Sequence, residues 1–502
     1  MADFDLAVIG GGLNGVSVAR DAAGRGLRVI LLEQGDLGGA ASIASGRLVH
    51  GDLAVLERRA LSRVRTALAE RDTWLKIAPH LVRPARFVIP AHSGERPLWL
   101  LRLGLVAYDH LSPPGGRGLP PSATIDVTHH PIGNALRRPF GTAFEYSDCL
   151  VDDSRLVIAS ALDAAERGAV IRTGARCVRA DRLDIWRLVV IDRGHRQVMT
   201  SRALANAAGA WAGTVAETVL RMPAPRASLI KMSQIIVRRL FDTDNVYVFQ
   251  HRDRRLVFAS PYLRDFTMIG TVAKQFKGDP AAVSVGADEV AYLCDAANRY
   301  FREHLDPSDV IRSFAGVNLV TGRPGKRFAR EGTMNFDARR GKAPLLTVFG
   351  GDITTVRLRA EHAVSRLTPF YPMSPRWTAQ AALPGGDFPW SEFDAEVERA
   401  RDRWKFLDQN QAIRLVSAYG SRLDAVLGDA RERADLGAAF GPELTAAEVS
   451  YLVEKEWARF PEDILWRRSK LGLTMTAADR EQLAAFMATG CEVSSQASFG
   501  DE

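Results

Sequence analysis

Three glycines and one acid near the start of the chain have the types and spacing to hold a dinucleotide. Gly10, Gly12 and Gly15 occupy the positions of a GxGxxG turn, and Glu33 follows eighteen residues after the last of them. In such a turn the glycines permit a tight bend, close backbone approach to a pyrophosphate and close helix–strand packing. A helix starting behind them presents free N–H groups and the positive end of its dipole to the phosphates. An acid at the position of Glu33 can accept hydrogen bonds from the adenosine ribose hydroxyls. NAD and FAD share this fingerprint, so the turn alone does not choose between them.

The elements around these residues arrive in the order the chemistry needs. Leu6-Ala7-Val8-Ile9 reads as a buried strand running into the glycines. A helical pattern runs from Val16 to Gly26, with Ala19, Ala22 and Ala23 as helix formers and Gly26 as C-cap. A second strand, Arg28 to Leu32, delivers Glu33. A Gly-, Ala- and Ser-rich stretch from Gly35 to Gly46 tightens into Arg47-Leu48-Val49-His50-Gly51. A helix with Leu56, Ala60, Val64 and Leu68 on one face then follows. The segment Arg83 to His110 interleaves arginines with Phe87, Trp99, Leu100, Leu101, Leu103 and Tyr108. It reads either as an amphipathic stretch resting in a lipid interface or as a buried helix with snorkelling arginines. Residues 112–121 form a Pro/Gly loop. Leu188 to Ile191 and Leu256 to Ala259 read as strands of a sheet. Leu204 to Trp211 is an apolar strand entering a small-residue turn suited to a second crossing of the cofactor. Leu345 to Phe349 enters Gly350-Gly351 ahead of a helix from about Thr354 to Leu367. After Leu383-Pro384-Gly385-Gly386 the pattern from Ser391 to Ala488 is almost wholly helical.

Composition sets the outer limits. The 502 residues, 46% hydrophobic and 25% charged, suffice for two or three domains. The net charge of +7 is small for that length; it suits an anionic ligand or lipid surface, and no Lys/Arg cluster accompanies a nucleic-acid recognition motif. Cys149, Cys177, Cys294 and Cys491 stand far apart with no CxxC, so neither a disulfide framework nor a metal site is indicated. Asp3 and Asp5 precede a first apolar run that glycines interrupt, which is unlike a secretory signal, and no apolar segment is long enough to span a bilayer. A cytoplasmic protein is expected, peripheral on the inner face of the cell membrane if it meets lipid at all.

The longer motifs add a resemblance. Val8-Ile9-Gly10-Gly11-Gly12-Leu13-Asn14-Gly15 with Asp21-Ala22-Ala23-Gly24-Arg25-Gly26-Leu27 resembles the opening of the FAD-dependent glycerol-3-phosphate dehydrogenases. So do Ala78-Pro79-His80-Leu81, Tyr108-Asp109-His110-Leu111 and Phe144-Glu145-Tyr146-Ser147-Asp148-Cys149, the last followed by Val151-Asp152-Asp153-Ser154-Arg155-Leu156. Phe276-Lys277-Gly278-Asp279, Gly341-Lys342-Ala343-Pro344-Leu345-Leu346 and, in the tail, Trp466-Arg467-Arg468-Ser469-Lys470 match as well, so the likeness covers nearly the whole chain. It implies an α/β, FAD-binding Rossmann-like fold of the D-amino-acid-oxidase type in residues 1–382. An antiparallel-sheet substrate domain is interleaved over about 75–145 and 220–330, an all-α domain covers 383–490, and residues 491–502 are expected to be a disordered tail. The implied chemistry is hydride transfer from glycerol 3-phosphate to FAD, releasing dihydroxyacetone phosphate, with electrons passed to a quinone or other acceptor. A membrane surface and a second copy in a homodimer are the further partners expected, and nucleic acid is not.

FAD is then expected at four places: the first turn (Gly10, Gly12, Leu13, Asn14, Gly15) with Glu33; the serine-rich turn (Ser42, Ser45, Arg47, Leu48, His50); the second crossing (Ala208, Gly209, Trp211); and the strand–helix junction (Gly351, Asp352, Ile353, Thr354). The N–H groups of Gly351 and Thr354 suit the flavin's pyrimidine end. No metal is expected. Substrate-site candidates are Arg330, Asp352, Asn318 and His50, and no residue stands out as a catalytic base.

The substrate-side motifs depart from the family. His-Gly-Gly-Leu-Arg-Tyr-Leu-Glu becomes His50-Gly51-Asp52-Leu53-Ala54-Val55-Leu56-Glu57, replacing an arginine by Ala54 and a tyrosine by Val55. Asn318 replaces a second arginine, Gln234 a histidine, Val272-Ala273 a Thr-Asp pair and Asp352 a flavin-adjacent lysine; Arg330 is retained. A hydrogen bond to a charged group contributes about 1.5–3 kcal/mol. A carboxylate about 4 Å from a phosphate costs on the order of 4 kcal/mol at an effective dielectric near 20. Two routes restore the balance: Arg47 and Arg327 reach the pocket, or Asp352 pairs with Arg357 or Arg359 and points away. Three functions stay open: the family reaction, an FAD oxidoreductase with a polyol, other polyol-phosphate or amino substrate that tolerates Asp52 and Asp352, and a non-catalytic flavin-binding regulator.

Overall fold

A computed structural model describes residues 2–53, 61–91, 98–112, 118–137, 141–253, 255–321 and 332–496. Arg330, Arg327, Ala54 and Val55 lie outside these residues. Two sheets share the first 350 residues. In one, strands Val170–Thr173, Val29–Glu33, Phe4–Ile9, His195–Asn206 and Leu345–Phe349 lie parallel in that order, with Thr333–Asp337 added antiparallel at one edge. Its strands read as continuous apolar runs because both faces are covered. Helices Leu13–Gly24, Asp153–Glu166 and Val356–Ser365 bury Val16, Val157 and Ala360 against Leu6, Val8 and Leu31 on one side. The meander Ala175–Arg182, Trp186–Asp192 and His195–Asn206 covers the other, around Trp186 and Leu188.

The second sheet is almost entirely antiparallel and runs Arg312–Val320, Ser228–Arg238, Phe266–Gln275, Leu256–Tyr262, Val246–Gln250, Val82–Ala91, Thr142–Val151 and Leu48–Val49. It therefore reaches further than the interleaved limits read from sequence: the strand Thr142–Val151 extends past 145, and the two residues of Leu48–Val49 pair with its end. The first sheet thus feeds the second through the serine-rich turn.

Three expectations change. The helix expected from Val16 begins at Leu13, because Gly12 already serves as N-cap and Gly15 sits inside the first turn. The segment Arg83 to His110 is not one amphipathic unit. Its first part is the strand Val82–Ala91, with Phe87 buried, and its second is the helix Leu98–Leu111. The last helix, Ala477–Gln496, continues into the stretch expected to be disordered. Helices Phe393–Arg403, Gln409–Tyr419 and Ala446–Glu454 share with it a separate core around Trp404, Leu415, Leu452 and Leu483, interrupted only by the short hairpin of Ala439–Phe440 and Leu444–Thr445. Among the described residues, no helix is long and apolar enough to cross a membrane.

Candidate active site

The first turn has the shape of a phosphate cradle. Gly10 adopts φ +109°, and a Cβ there would stand 2.6 Å from the Ala207 carbonyl oxygen; one on Gly15 would stand 1.9 Å from that of Gly10. Only glycine fits either place, so strand and helix approach closely and the N–H groups of the helix's first turn face outward. The Leu13 N–H donates to Ser42 Oγ at 3.0 Å, which ties the serine-rich turn to the cradle. Glu33 accepts from the Gly11 N–H at 2.7 Å and the Gly35 N–H at 2.8 Å, fixing its carboxylate at the strand end; burial pushes its pKa up.

A cavity of about 2070 Å³ opens from this cradle between the two sheets. Pockets for one small molecule span roughly 300–1,000 Å³, so this one has room for a dinucleotide and a substrate beside it. Gly10, Gly12, Leu13, Asn14 and Glu33 line one end, with Ser42, Ser45, Leu48 and His50 farther along. Ala208, Gly209 and Trp211 form another wall, and Gly351, Asp352, Ile353 and Asn318 complete it. Three expected contacts are not part of the lining. Gly15 lies beneath the turn, where its role is the close packing just described. Thr354 is buried, its hydroxyl accepting from the His50 N–H at 3.1 Å and its carbonyl from Trp74 Nε1 at 2.8 Å. Arg47 points away: its Nε donates to the Val151 carbonyl at 3.1 Å, its guanidinium stacks 4.7 Å from the Tyr262 ring, and Asp152 stands 3.5 Å off. The route by which Arg47 restores charge to the pocket is thereby closed.

His50 is held from both sides. Gly51 donates its N–H to the Tyr108 hydroxyl at 2.8 Å, which donates to Asp148 at 2.7 Å, and Asp148 faces Arg71 at 3.2 Å. A Cβ on Gly51 would meet that hydroxyl at 2.5 Å. His50 Nδ1 accepts the Asp52 N–H at 3.2 Å, which places the proton of the neutral ring on Nε2. In that tautomer Nε2 is the donor of a residue that lines the cavity.

The altered positions fall into two groups. Asp352 is half-buried on the lining, with one carboxylate oxygen accepting both the N–H and the hydroxyl of Thr355, each at 2.8 Å. It pairs with neither expected arginine. Arg357 sits between Glu70 and Glu361, at 2.6 Å from each, while Arg359 donates to the Asp352 carbonyl at 3.3 Å and to Asn14 Oδ1 at 2.8 Å. One oxygen of Asp352 is therefore held by a hydrogen-bonded turn, not by an ion pair, and its charge stays at the cavity wall. Gln234, by contrast, leaves the cavity, donating to the Ala44 carbonyl at 3.1 Å to hold the serine-rich turn. Asn318 stays on the lining, 3.5 Å from Met232 Sδ. Sequence reasoning named Arg359 only as a partner for Asp352 and did not expect Arg63, Arg176 or Arg467 in the site; all four line the cavity. For Arg359 a signal existed: it lies one helical turn after Thr355, on the face that Asp352 and Gly351 occupy.

The far mouth of the cavity is formed by the helix Leu98–Leu111, whose Leu100, Leu101, Gly104 and Ala107 reach the lining. The same helix leaves Trp99 68% and Leu103 57% exposed, with Leu98, Leu100 and Val106 also open.

Comparison with known proteins accords with both halves of this architecture. Residues 5–350 match the family described as FAD dependent oxidoreductase, and residues 376–497 the C-terminal domain of alpha-glycerophosphate oxidase. A glycerol-3-phosphate dehydrogenase of Pseudomonas aeruginosa is 43% identical over 96% of this chain and 95% of its own. A D-erythritol 1-phosphate dehydrogenase of Brucella abortus is 41% identical over 96% and 97%. The solved glycerol-3-phosphate dehydrogenase of Bacillus halodurans complexed with FAD shares the fold, with a TM-score of 0.73 at 21% identity over 97% of this chain and 94% of that one. Cradle, cavity and both matched regions lead to one assignment: the chain belongs to the FAD-dependent glycerol-3-phosphate dehydrogenase family.

Proposed function

We propose that this chain oxidises glycerol 3-phosphate to dihydroxyacetone phosphate. FAD, when bound, supplies the acceptor for the hydride that leaves the carbon bearing the middle hydroxyl; the hydroxyl proton leaves separately. The chain's own residues do the rest. Gly10, Gly12, Leu13 and Asn14 would hold the pyrophosphate, Glu33 the ribose, and Ser42, Ser45, Leu48 and His50 with Ala208–Trp211 and Gly351–Ile353 would enclose the flavin. His50 Nε2 donates a hydrogen bond to a substrate oxygen, and Arg330 is assigned to the phosphate. In this reading residues 1–382 are the oxidoreductase region, with 75–145 and 220–330 forming most of the substrate domain, and 383–490 the helical domain.

The observation that carries the reading is Asp352. One oxygen of its carboxylate is held by Thr355, and the Arg359 guanidinium donates to its carbonyl, so a cation still stands beside the position where the family keeps a lysine. The lining also includes Arg63 and Arg359. Through its exposed leucines and Trp99, the helix Leu98–Leu111 supports attachment to the inner face of a membrane and delivery of electrons to a quinone at the cavity mouth. A second reading, D-erythritol 1-phosphate as substrate, is favoured by the Brucella abortus relative and by the smaller residues Ala54, Val55 and Asn318.

The test is anaerobic reduction of the purified yellow protein. Glycerol 3-phosphate should bleach the oxidised-flavin band within seconds at millimolar concentration. Faster bleaching by erythritol 1-phosphate selects the second reading, and a band untouched by either compound refutes both.

A further inference from the structure

Helix Val356–Ser365 carries two arginines with opposite fates. Arg357 is neutralised by Glu70 and Glu361, whereas Arg359 reaches the cavity wall beside Gly351 and Asp352. Its guanidinium is held by three neutral groups: Asn14 Oδ1 at 2.8 Å, Thr355 Oγ1 at 3.1 Å and the Asp352 carbonyl at 3.3 Å. Asn14 Nδ2 donates in turn to the Gly350 carbonyl at 3.2 Å, so one network joins the cradle to the strand–helix junction. No carboxylate among the described residues stands within 4.0 Å of this guanidinium.

The slot that admits the side chain is built. A Cβ on Gly351 would lie 2.1 Å from one terminal nitrogen of Arg359, and one on Gly332 would lie 2.1 Å from its Nε. Gly351 also has φ +86°. A larger residue at either glycine displaces the guanidinium. Asp352, by bonding the N–H and hydroxyl of Thr355, fixes the turn on which Thr355 and the 352 carbonyl meet Arg359.

A flavin that accepts a hydride gains two electrons and one proton at its central ring, and the excess negative charge settles on its pyrimidine ring. A fixed cation beside that ring stabilises the reduced form without itself gaining or losing a proton, since a guanidinium stays charged. We propose that Arg359 is this cation: it takes over the task of the lysine replaced by Asp352, and Asp352 serves as the hinge that aims it. Burial alone lowers the affinity of this guanidinium for its proton, and the nearby Asp352 charge counters that effect. The proposal rests on FAD as cofactor and is independent of which polyol phosphate is oxidised.

The test is the two-electron midpoint potential of the FAD-loaded full chain, measured by equilibration with a reference dye and a chemical reductant rather than with substrate. Arg359→Met should weaken the reduced form relative to the oxidised form by at least tenfold, a fall of about 30 mV for a two-electron couple. Arg359→Lys, which keeps the charge, should stay within threefold of the parent. Sulfite, whose addition to flavin also places negative charge on the pyrimidine ring, should bind the Met variant at least tenfold more weakly. If the Met variant does not hold FAD, Arg359→Gln carries the same expectation. A potential and sulfite affinity within threefold of the parent overturn the proposal. So does a Lys variant that falls as far as the Met variant, since packing rather than charge would then be at stake.

Discussion

Replacing Arg357 by Met should destabilise the protein in a way that pH partly reverses. The guanidinium is 6% exposed and binds Glu70 through Nε at 2.9 Å and a terminal nitrogen at 2.6 Å, and Glu361 at 2.6 Å; Thr378 also donates to Glu361. Removing it leaves two carboxylates buried without a cation, a change that costs about 3–5 kcal/mol. With an unfolding entropy of about 2.1 cal/mol/K per residue, a chain of this length loses on the order of 1 kcal/mol per degree, so the melting temperature should fall by about 3–5 °C. Burial already raises the Glu70 carboxyl above its ordinary value, and without Arg357 it rises further. The folded variant therefore binds more protons than the unfolded chain between the ordinary glutamate pKa, about 4.3, and the raised folded value, and its stability falls as pH rises through that window. Differential scanning fluorimetry from pH 8 to pH 5 should show the deficit shrinking as the carboxylate takes up its proton. The double variant Arg357→Met/Glu70→Gln should recover a third or more of it at pH 8. A deficit under 1 °C, or one that does not change with pH, would refute the account of this triad as a buried ion-pair network.

Two further expectations follow from the site. Gly15→Ala drives a methyl group into the Gly10 carbonyl, 1.9 Å away, so the chain should purify without its yellow colour and bind added FAD at least about 100-fold more weakly by fluorescence titration, equivalent to about 2.7 kcal/mol; FAD retained at parental affinity would show that the turn relaxes. Trp99→Ala combined with Leu103→Ala removes two exposed apolar side chains, each contributing roughly 1.5–3 kcal/mol when fully buried, and should lower sedimentation with anionic lipid vesicles by tenfold or more while flavin content stays unchanged. Unchanged sedimentation would place the lipid contact elsewhere.

The parts of the molecule legible in the sequence are those whose cause is local. The strand from Leu6, the glycine turn, the helix to Gly26 and Glu33 follow one another without a gap, and each carries its own period or turn chemistry. The junction at Gly350-Gly351 was readable for the same reason. Sheet order was not: Val246–Gln250 joins Val82–Ala91 across some 160 residues, and nothing in either strand names the other. The segment Arg83 to His110 misled because its strand and its helix are both basic and aromatic, and composition blurs a change of period. In the site, residue types were legible but directions were not. Asp352 was legible as a charge, but the hydrogen bonds that hold one of its oxygens depend on the helix starting at Val356 with Thr355 ahead of it. Arg47 looked available because Tyr262 and Asp152, which hold it, lie more than a hundred residues on. The place of Arg359 on the cavity wall was not legible because its slot is made by the absence of side chains at Gly332 and Gly351, which a sequence records only as two more glycines.

The C-terminal helices bear on the cofactor site in a way that concerns how the protein is made. Arg467 and Arg468 both bind Asp36, three residues after Glu33, and Arg467 reaches the cavity lining; Lys470 binds Asp152 at 2.6 Å, the same acid that faces Arg47 below the serine-rich turn. Glu33 and Asp36 thus put two carboxylates at the rim of a site for a pyrophosphate, and the cations that offset Asp36 come from residues more than 400 positions later. A ribosome delivers the cradle first and these arginines nearly last. Until residues 467–470 have docked, Asp36 lacks the cations that offset it, so a chain folded without them is expected to hold FAD more weakly, and FAD content would report on that docking.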